Sequence, residues 1–234
     1  MLISFVIPFY NEEGNLHEFL LLLKNSINLH QEYEFEVILI NDCSTDNGRK
    51  VVLDFIADDN MFRLVEQSHN SGQTACFRKG FGLAKGEYIF RIDSDMQDDP
   101  RDLKYFLDKI DTKPDIIMGI REDRQHNRFL RAAHAIYDVI VILLINSPFK
   151  DSGSFVAFKA KHVRNLNLVH NDHRYLPLIV FYKGGKNIKE LVVSHKQRGH
   201  GVSKYTTFNK IITGLPELIF FLIRLKTNFY SKIK

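Results

Sequence analysis

Acidic side chains are concentrated in one short segment of this 234-residue sequence, Asp93-Ser94-Asp95-Met96-Gln97-Asp98-Asp99, which contains no lysine or arginine. Carboxylates this densely spaced repel one another unless a cation or solvent screens their charges. Hard cations such as Mg²⁺ and Mn²⁺ prefer oxygen ligands and often combine one or two carboxylates with substrate phosphates. We therefore expect Asp93 and Asp95 to bind a metal or a nucleotide, with Gln97 adding a neutral oxygen. The alternative is an acidic loop that only caps the next helix, which is the role expected of the last two aspartates.

Two further polar segments follow apolar runs and are candidates for nucleotide contacts. In the segment Pro8-Phe9-Tyr10-Asn11-Glu12, the proline lacks an N–H group and favours a strand end. Backbone groups from Pro8 to Tyr10 are expected to frame a base, and Glu12 to reach a ribose. Asp42, in the segment Asn41-Asp42-Cys43-Ser44-Thr45-Asp46, is expected to accept hydrogen bonds from a pyrimidine or a ribose. A simple turn that caps the next helix is an equally open interpretation of that segment.

A basic segment near the C-terminus, Gln197-Arg198-Gly199-His200-Gly201-Val202-Ser203-Lys204-Tyr205, combines two glycines with several anion donors. Such a loop can close over phosphate groups, with Arg198, Ser203 and Lys204 as the donors. The sequence contains neither a Walker loop nor a Gly-x-Gly-x-x-Gly motif, which argues against a dinucleotide-dependent oxidoreductase.

The elements that must position these segments alternate between strand and helix patterns. Apolar runs predict strands at 3–9, 35–40, 62–65, 88–92, 115–118 and 187–193, and helical spacing predicts helices at 12–29, 47–57, 73–84, 100–110, 129–145 and 206–225. Alternation of this kind predicts an α/β fold, a mostly parallel sheet flanked by helices, followed by a C-terminal helical, amphipathic extension. Ligands of such sheets lie beyond the carboxyl ends of the strands, where the polar segments fall.

Composition narrows the class of protein. Hydrophobic residues make up 44% and charged residues 26%, as in a globular domain. Two cysteines exclude a disulfide scaffold and fit a reducing compartment. No apolar run reaches the ~18 residues of a membrane span, and no basic region precedes the apolar start, so neither a span nor a signal peptide is expected. Residues 196–234 hold eight Lys or Arg against the single Glu217, which indicates either an anionic partner or a solvated helix surface.

Taken in order along the chain, these segments resemble family 2 glycosyltransferases of the GT-A fold, most closely the dolichol- and polyprenol-phosphate sugar transferases. Asn41 stands where that family usually carries an acid. Matching stretches cover nearly the whole chain: Val6 to Glu13, Asn41 to Asp46, Asn70 to Ala75, Gly80 to Gly86, Asp93 to Gln97, Met118 to Arg121, Asp151 to Phe155 and His195 to Tyr205.

The resemblance implies inverting transfer of a sugar from a UDP- or GDP-linked donor. A Mg²⁺ or Mn²⁺ ion held by Asp95 and Gln97, with Asp93 nearby, would stabilise the charge of the departing diphosphate. Arg121, together with Arg198 and Lys204 of the basic segment, would add fixed positive charge. Ser203 would donate a hydrogen bond in the same loop.

On the acceptor side, the resemblance implies a polyprenyl phosphate such as dolichyl or undecaprenyl phosphate. A lipid phosphate is already anionic and needs no strong general base, whereas a saccharide hydroxyl does. Asp151 either positions the acceptor or acts as that base, and Arg128 or Arg131 binds the acceptor phosphate or the donor pyrophosphate. A soluble transferase acting on a saccharide hydroxyl and a non-catalytic nucleotide-sugar-binding protein are the alternatives.

The expected organisation follows from the same resemblance. Residues 1–205 form the catalytic domain, with a nucleotide-binding half at about 1–122 and an acceptor half at about 123–205. Residues 206–234 form an apolar and basic segment that contacts a membrane surface. We expect a cytoplasmic protein, peripheral at the cytoplasmic membrane face, with no nucleic-acid partner.

Overall fold

The structure, a computed structural model, describes residues 1–57, 59–121, 149, 153–195, 207–227 and 229–230, without the side chains of 121 and 207–215. Its strands are β1 (Leu2–Phe9), β2 (Glu34–Asn41), β3 (Phe62–Glu66), β4 (Tyr88–Arg91), β5 (Ile116–Arg121), β6 (Val156–Lys159) and β7 (Ile188–Val193). Its helices are α1 (Glu13–Asn28), α2 (Gly48–Ile56), α3 (Gln73–Leu83), α4 (Leu103–Ile110), α5 (Ala160–Val163), α6 (Leu176–Tyr182) and α7 (Thr207–Lys226). Short 3₁₀ turns lie at Pro100–Asp102 and Asp172–Tyr175.

The seven strands form one sheet in the order β3-β2-β1-β4-β6-β5-β7. All neighbouring strands are parallel except β6, which runs antiparallel to both β4 and β5. The predicted mostly parallel sheet is therefore confirmed. The antiparallel strand β6 was not predicted, because its four residues show no alternation of polar and apolar side chains.

Helices cover both faces of the sheet and create two hydrophobic cores. Successive residues of β1 point to opposite faces, so Val6 packs with α3, α6 and α7, whereas Phe5 and Ile7 pack with α1, α2 and α4. The closest approach is at Gly80 of α3, where an added Cβ would lie 2.2 Å from Val6 Cγ1. The missing side chain lets α3 lie directly on the sheet and places its N-terminus at the carboxyl ends of β1 and β2.

The predicted C-terminal helix is confirmed as α7, with Pro216 inside it. Leu218 and Phe221 are fully buried in the core that α3 and α6 share, and the Phe221 ring stacks on Tyr175 at 4.1 Å between centroids. None of the helices in the described part of the chain is both long and apolar enough to cross a membrane. The helix predicted at 129–145 lies outside the described residues.

Candidate active site

Three of the predicted polar segments meet at the carboxyl edge of β1, β2 and β4. The turn after β1 joins the turn after β2, because Asn11 N donates to Ser44 Oγ at 3.1 Å and Thr45 N donates to Asn11 Oδ1 at 2.8 Å. The turn after β4 joins β1, because Ser94 Oγ donates to the carbonyl of Pro8 at 3.3 Å. The sheet thus brings the predicted base, ribose and metal segments into one site.

The metal segment is built around a tight turn. Asp95 Oδ1 accepts a hydrogen bond from Gln97 N at 3.1 Å, and Met96 between them has a positive φ of 63°. This turn brings the Asp95 carboxylate and the Gln97 residue to the same loop end directly after β4. Asp99, as predicted, caps the following 3₁₀ turn, where its Oδ1 accepts from Arg101 N at 3.0 Å.

The oxygen donors of this turn suit a hard divalent cation. Asp93, Asp95 and Gln97 carry two carboxylates and an amide, which are oxygen ligands of the kind that Mg²⁺ combines with substrate phosphates. Their binding of a metal stays a prediction. Asp98 is 1% exposed, and its Oδ2 has no hydrogen-bond donor among the described residues. Within the described ranges, no cluster of three His, Cys, Asp or Glu side chains is arranged to hold a metal without such additional ligands.

A contact that sequence reasoning missed supports Asp93. Gln73, the first residue of α3, donates from Nε2 to Asp93 Oδ1 at 2.6 Å across 20 residues of sequence. The preceding Gly72 has a positive φ of 81°, which turns the chain into the helix. The Asn-Ser-Gly turn ahead of a helix was visible in the sequence, but the partner of Gln73 was not.

Asp42 holds the same end of α3 from the other side. Its two carboxylate oxygens accept hydrogen bonds from Ser71 N at 2.8 Å and Gly72 N at 2.9 Å, and the residue is only 5% exposed. A carboxylate has about four acceptor positions, so these two hydrogen bonds do not use all of those on Asp42. A contact between Asp42 and a nucleotide stays a prediction. Asn41, in the place of the usual acid, closes the turn by accepting from Ser44 N at 2.8 Å, a bond that a carboxylate would also form.

The end of β7 contacts the acidic turn that follows β4. Asp98 and His195 pair through their backbones, with His195 Nδ1 3.4 Å from Asp98 Oδ1. Asp102 Oδ2 accepts from Ser194 N at 2.6 Å, and burial raises the pKa of the Asp102 carboxyl. The predicted basic segment begins two residues after His195 in the sequence.

A partly buried polar cluster joins the end of β4, the first turns of α3 and the 3₁₀ turn Asp172–Tyr175. Nδ1 of His173 lies 2.7 Å from the hydroxyl of Thr74. The backbone carbonyl of His173 accepts a hydrogen bond from Arg91, and the Arg91 guanidinium lies 4.8 Å from the centre of the Phe77 ring. Burial, helped by the charge of Arg91, lowers the pKa of His173 to about 3, so the imidazole stays neutral at physiological pH.

The remaining predicted residues are placed only in part. Glu12 lies in the turn after β1, where its Oε2 accepts from Asn15 Nδ2 at 2.7 Å, and Tyr10 lies in the same turn. Arg121 ends β5, although its side chain is not described. The others lie outside the described residues: Arg128, Arg131, Asp151, Arg198, Ser203 and Lys204.

Curated relatives resemble this chain over nearly its whole length. The dodecaprenyl-phosphate galacturonate synthase of Rhizobium johnstonii is 28% identical over 94% of this chain and 67% of its own length. The undecaprenyl-phosphate 4-deoxy-4-formamido-L-arabinose transferase of Proteus mirabilis is 28% identical over 93% of this chain and 66% of its own length. The chain thus spans about two thirds of the length of these relatives.

Solved structures share the fold. The glucosyl-3-phosphoglycerate synthase of Mycobacterium tuberculosis, crystallised with Mn²⁺ and UDP-glucose, superposes with a TM-score of 0.70 at 15% identity, over 94% of this chain and 78% of that one. A mannosyltransferase of Pyrobaculum calidifontis, crystallised with GDP-mannose and Mn²⁺, superposes with a TM-score of 0.62 at 18% identity, over 84% of this chain and 58% of that one.

The family model described as Glycosyl transferase family 2 matches residues 4–172, which include the turns after β1, β2 and β4 and the start of α3. That range covers most of the chain and every described residue of the site except His173 and the residues at the end of β7. The chain therefore belongs to glycosyl transferase family 2 and is a glycosyltransferase with the GT-A-type fold that its sequence predicts.

Proposed function

We propose that this chain is an inverting glycosyltransferase that moves a sugar from a UDP- or GDP-linked donor to a polyprenyl phosphate. The observation that carries the donor half is the joining of three strand-end turns into one acidic site, with Asp93 supported by Gln73. The acceptor half rests on relatives that are named as polyprenyl-phosphate sugar transferases and that match nearly the whole chain.

In this proposal the acidic turn would hold a Mg²⁺ or Mn²⁺ ion at the donor diphosphate. Asp95 and Gln97 hold the ion, and Asp93 holds one of its waters or a ribose hydroxyl. An ion bound there would supply Lewis-acid stabilisation of the leaving diphosphate. Mn²⁺ and nucleotide sugars in structures of the same fold support this assignment.

The turns after β1 and β2 bind the nucleoside. Backbone groups from Pro8 to Tyr10 frame the base, Glu12 reaches the ribose, and Asp42 accepts hydrogen bonds from the base or the ribose. Because Asp42 also holds the start of α3, this contact would couple nucleotide binding to the helix that supports Asp93.

Positive charge for the diphosphate comes from Arg121 and from the basic segment with Arg198, Ser203 and Lys204. The link between Asp98 and His195 brings the end of β7, which precedes that segment in sequence, beside the turn after β4. Cations in such positions stabilise the charge that develops on the leaving group.

The acceptor phosphate is bound by Arg128 or Arg131, and Asp151 positions it. Since a phosphate monoester is already anionic, its oxygen attacks without a strong base. The same proposal assigns residues 1–205 to the catalytic domain, with halves at about 1–122 and 123–205, and residues 206–234 to a membrane-peripheral segment. It locates the chain at the cytoplasmic face of a membrane, where a polyprenyl phosphate would be reached.

The test is transfer of labelled sugar from a panel of UDP- and GDP-sugars to a short-chain, water-soluble prenyl phosphate, with Mn²⁺ or with EDTA. We expect label in the prenyl phosphate, inversion at the anomeric carbon and loss of activity with EDTA. Asp95→Asn should lower kcat/KM by about 100-fold or more, since even residues behind metal ligands contribute 10- to 100-fold.

The matched control is Asp99→Asn, the same change in the same segment at a residue that pairs with Arg101. We expect it to keep most of the activity. Label that enters only saccharide hydroxyls, with Asp151→Asn inactive, would replace the lipid acceptor by a saccharide. Donor binding without any transfer would indicate the non-catalytic alternative.

A further inference from the structure

Arg91, the last residue of β4, carries a charged side chain inside the protein. It is 4% exposed, and its guanidinium lies against the ring of Phe77 in the core between the sheet and α3. Burying a charged group is costly unless hydrogen bonds replace the water that it loses. Ile89, two residues earlier on the same face of β4, is a fully buried apolar residue of that core. A charge at the end of the strand therefore has a purpose beyond filling the core.

The guanidinium joins two segments that are distant along the chain. Its Nε donates to the carbonyl of Ser154 at 3.3 Å, and its Nη1 donates to the carbonyl of His173, which are 63 and 82 residues away in sequence. A guanidinium holds its N–H donors in one rigid plane, whereas the ammonium of a lysine is a compact group on a flexible stem. An arginine can therefore fix both carbonyls relative to each other and to the end of β4.

The first of these segments, residues 153–155, is called the acceptor segment here. Asp151, to which the proposed function assigns the positioning of the acceptor, stands two residues before Gly153 in the sequence. The segment leads into β6, which lies between β4 and β5. On the β5 side, a Cβ added to Gly153 would lie 3.0 Å from the carbonyl of Gly119, and Gly119 N donates to the carbonyl of Phe155 at 3.0 Å. On the β4 side, the guanidinium holds the segment.

The strand that carries Arg91 leads directly into the acidic turn that follows β4. Asp93 comes two residues after Arg91, and Gln73 of α3 donates to it. His173 contacts Thr74, which is the neighbour of Gln73 in α3. The guanidinium therefore lies where the acceptor segment, the end of β4 and the start of α3 meet.

We propose that Arg91 is a positioning residue for sugar transfer, whose rigid pair of donors sets the acceptor segment at a fixed distance from the acidic turn. The inference rests on the proposed function for which side binds the donor and which the acceptor. In that reaction an acceptor phosphate oxygen forms a bond to the anomeric carbon, while the bond from this carbon to the donor diphosphate breaks and the nucleoside diphosphate leaves.

Loss of the guanidinium should displace the acceptor more than the donor. The hydrogen bonds that hold Asp42 and the one that joins Gln73 to Asp93 do not include Arg91. The hydrogen bond to the carbonyl of Ser154, in contrast, is made by Arg91 itself. The donor site therefore keeps these contacts when the acceptor segment loses its own.

The test compares two fates of a UDP- or GDP-sugar on one enzyme preparation, namely transfer to a water-soluble prenyl phosphate and hydrolysis without an acceptor. In hydrolysis a water oxygen attacks the anomeric carbon in place of the phosphate oxygen and releases a proton. Since a displacement of about 1 Å can lower a rate by about 100-fold, we expect Arg91→Met to lower the ratio of transfer to hydrolysis by at least about 10-fold. Calorimetry should show unchanged affinity for UDP or GDP with Mn²⁺.

Arg91→Lys separates the geometry of the side chain from its charge. Lysine keeps the positive charge and most of the stem, but its ammonium cannot bond both carbonyls in fixed directions. We expect this variant to have a melting temperature closer to that of the wild type than Arg91→Met has, and still to lower the ratio. A wild-type ratio in Arg91→Lys would overturn the inference.

The matched control is Arg164→Met, because Nη2 of Arg164 also donates to a backbone carbonyl, that of Gly86, at 3.0 Å. This contact lies at the amino end of β4, whereas the acidic turn follows the carboxyl end. We expect the control to lower the melting temperature without changing the ratio, since the ratio does not depend on the fraction of molecules that are folded. Equal loss of transfer and hydrolysis in Arg91→Met, or failure of both Arg91 variants to fold, would make Arg91 a residue of stability alone and overturn the proposal.

Activity of the wild type on the prenyl phosphate tests the proposed function by itself. If the wild type transfers sugar only to a saccharide hydroxyl, the lipid acceptor is wrong, and the same ratio measured with that saccharide decides the role of Arg91. A wild type that transfers sugar to neither acceptor would overturn both proposals.

Discussion

Asp172 offers the sharpest test of how α7 is attached. Its Oδ1 accepts hydrogen bonds from Arg224 Nη2 and from the Tyr230 hydroxyl, and its Oδ2 accepts from Val169 N at 2.9 Å. Burial lowers the pKa of Arg224, but the bonds to Tyr230 and Asp172 raise it more, so the net shift is upward. The guanidinium is therefore charged at neutral pH and depends on Asp172 for its counter-charge.

The expected effect of Asp172→Ala follows from this burial. The Asp172 side chain is 0% exposed and that of Arg224 is 13% exposed. Removing one partner of a buried ion pair leaves the other charge uncompensated and destabilises by about 3–5 kcal/mol. In a chain of this size each kcal/mol lowers the melting temperature by roughly 2–4 °C, so we expect a fall of about 6–20 °C.

Thermal unfolding followed by circular dichroism measures this change. The control is Arg49→Ala, which breaks an ion pair with Glu66 whose side chains are 56% and 46% exposed and which should contribute no more than about 1 kcal/mol. Adding Arg224→Met to Asp172→Ala removes both buried charges and should recover part of the loss. Equal melting temperatures of Asp172→Ala and Arg49→Ala, or no recovery in the double variant, would refute the reasoning.

Three further predictions concern the site and the core. Gln73→Ala removes a hydrogen bond to Asp93 that is worth about 1.5–3 kcal/mol. Calorimetry should therefore show that the affinity for the donor with Mn²⁺ falls by roughly 10-fold or more. Unchanged affinity would contradict the inference that Gln73 positions Asp93. His173 titrates at about 3 in the folded chain against 6.5 as its ordinary value, so the unfolded chain binds more protons between these limits. Stability therefore falls as pH drops through that window, by up to about 1.4 kcal/mol per pH unit, and urea unfolding should show a flatter pH dependence for His173→Gln. Gly80→Ala places a Cβ 2.2 Å from a β1 side chain and should destabilise by about 1–3 kcal/mol. Gly82→Ala, with its nearest atom at 3.6 Å, should stabilise by up to about 1 kcal/mol, and equal denaturation midpoints would contradict the tight contact at Gly80.

Local patterns in the sequence were sufficient for most elements up to residue 121. The strands β1 and β2 are apolar runs buried on both faces, and α1 and α3 show apolar residues at helical spacing. Each of these elements could therefore be predicted from the residues that form it. The acidic turn after β4 was also predictable, because parallel strands place the polar segments that follow them at one edge. Family membership followed from the order of these segments along the chain.

Tertiary structure alone decided which distant side chains meet. Asp42 could be recognised as an acid at a strand end, but its use in holding Ser71 and Gly72 depends on how α3 packs on the sheet. The support of Asp93 by Gln73 and the antiparallel insertion of β6 between β4 and β5 likewise depend on contacts between distant segments. Burial of one face of a strand or helix produces a regular spacing of apolar residues in the sequence. A hydrogen bond between residues far apart in the sequence produces no such pattern in either segment. The sequence by itself therefore determined the elements and the chemistry available, and packing determined which groups share the site.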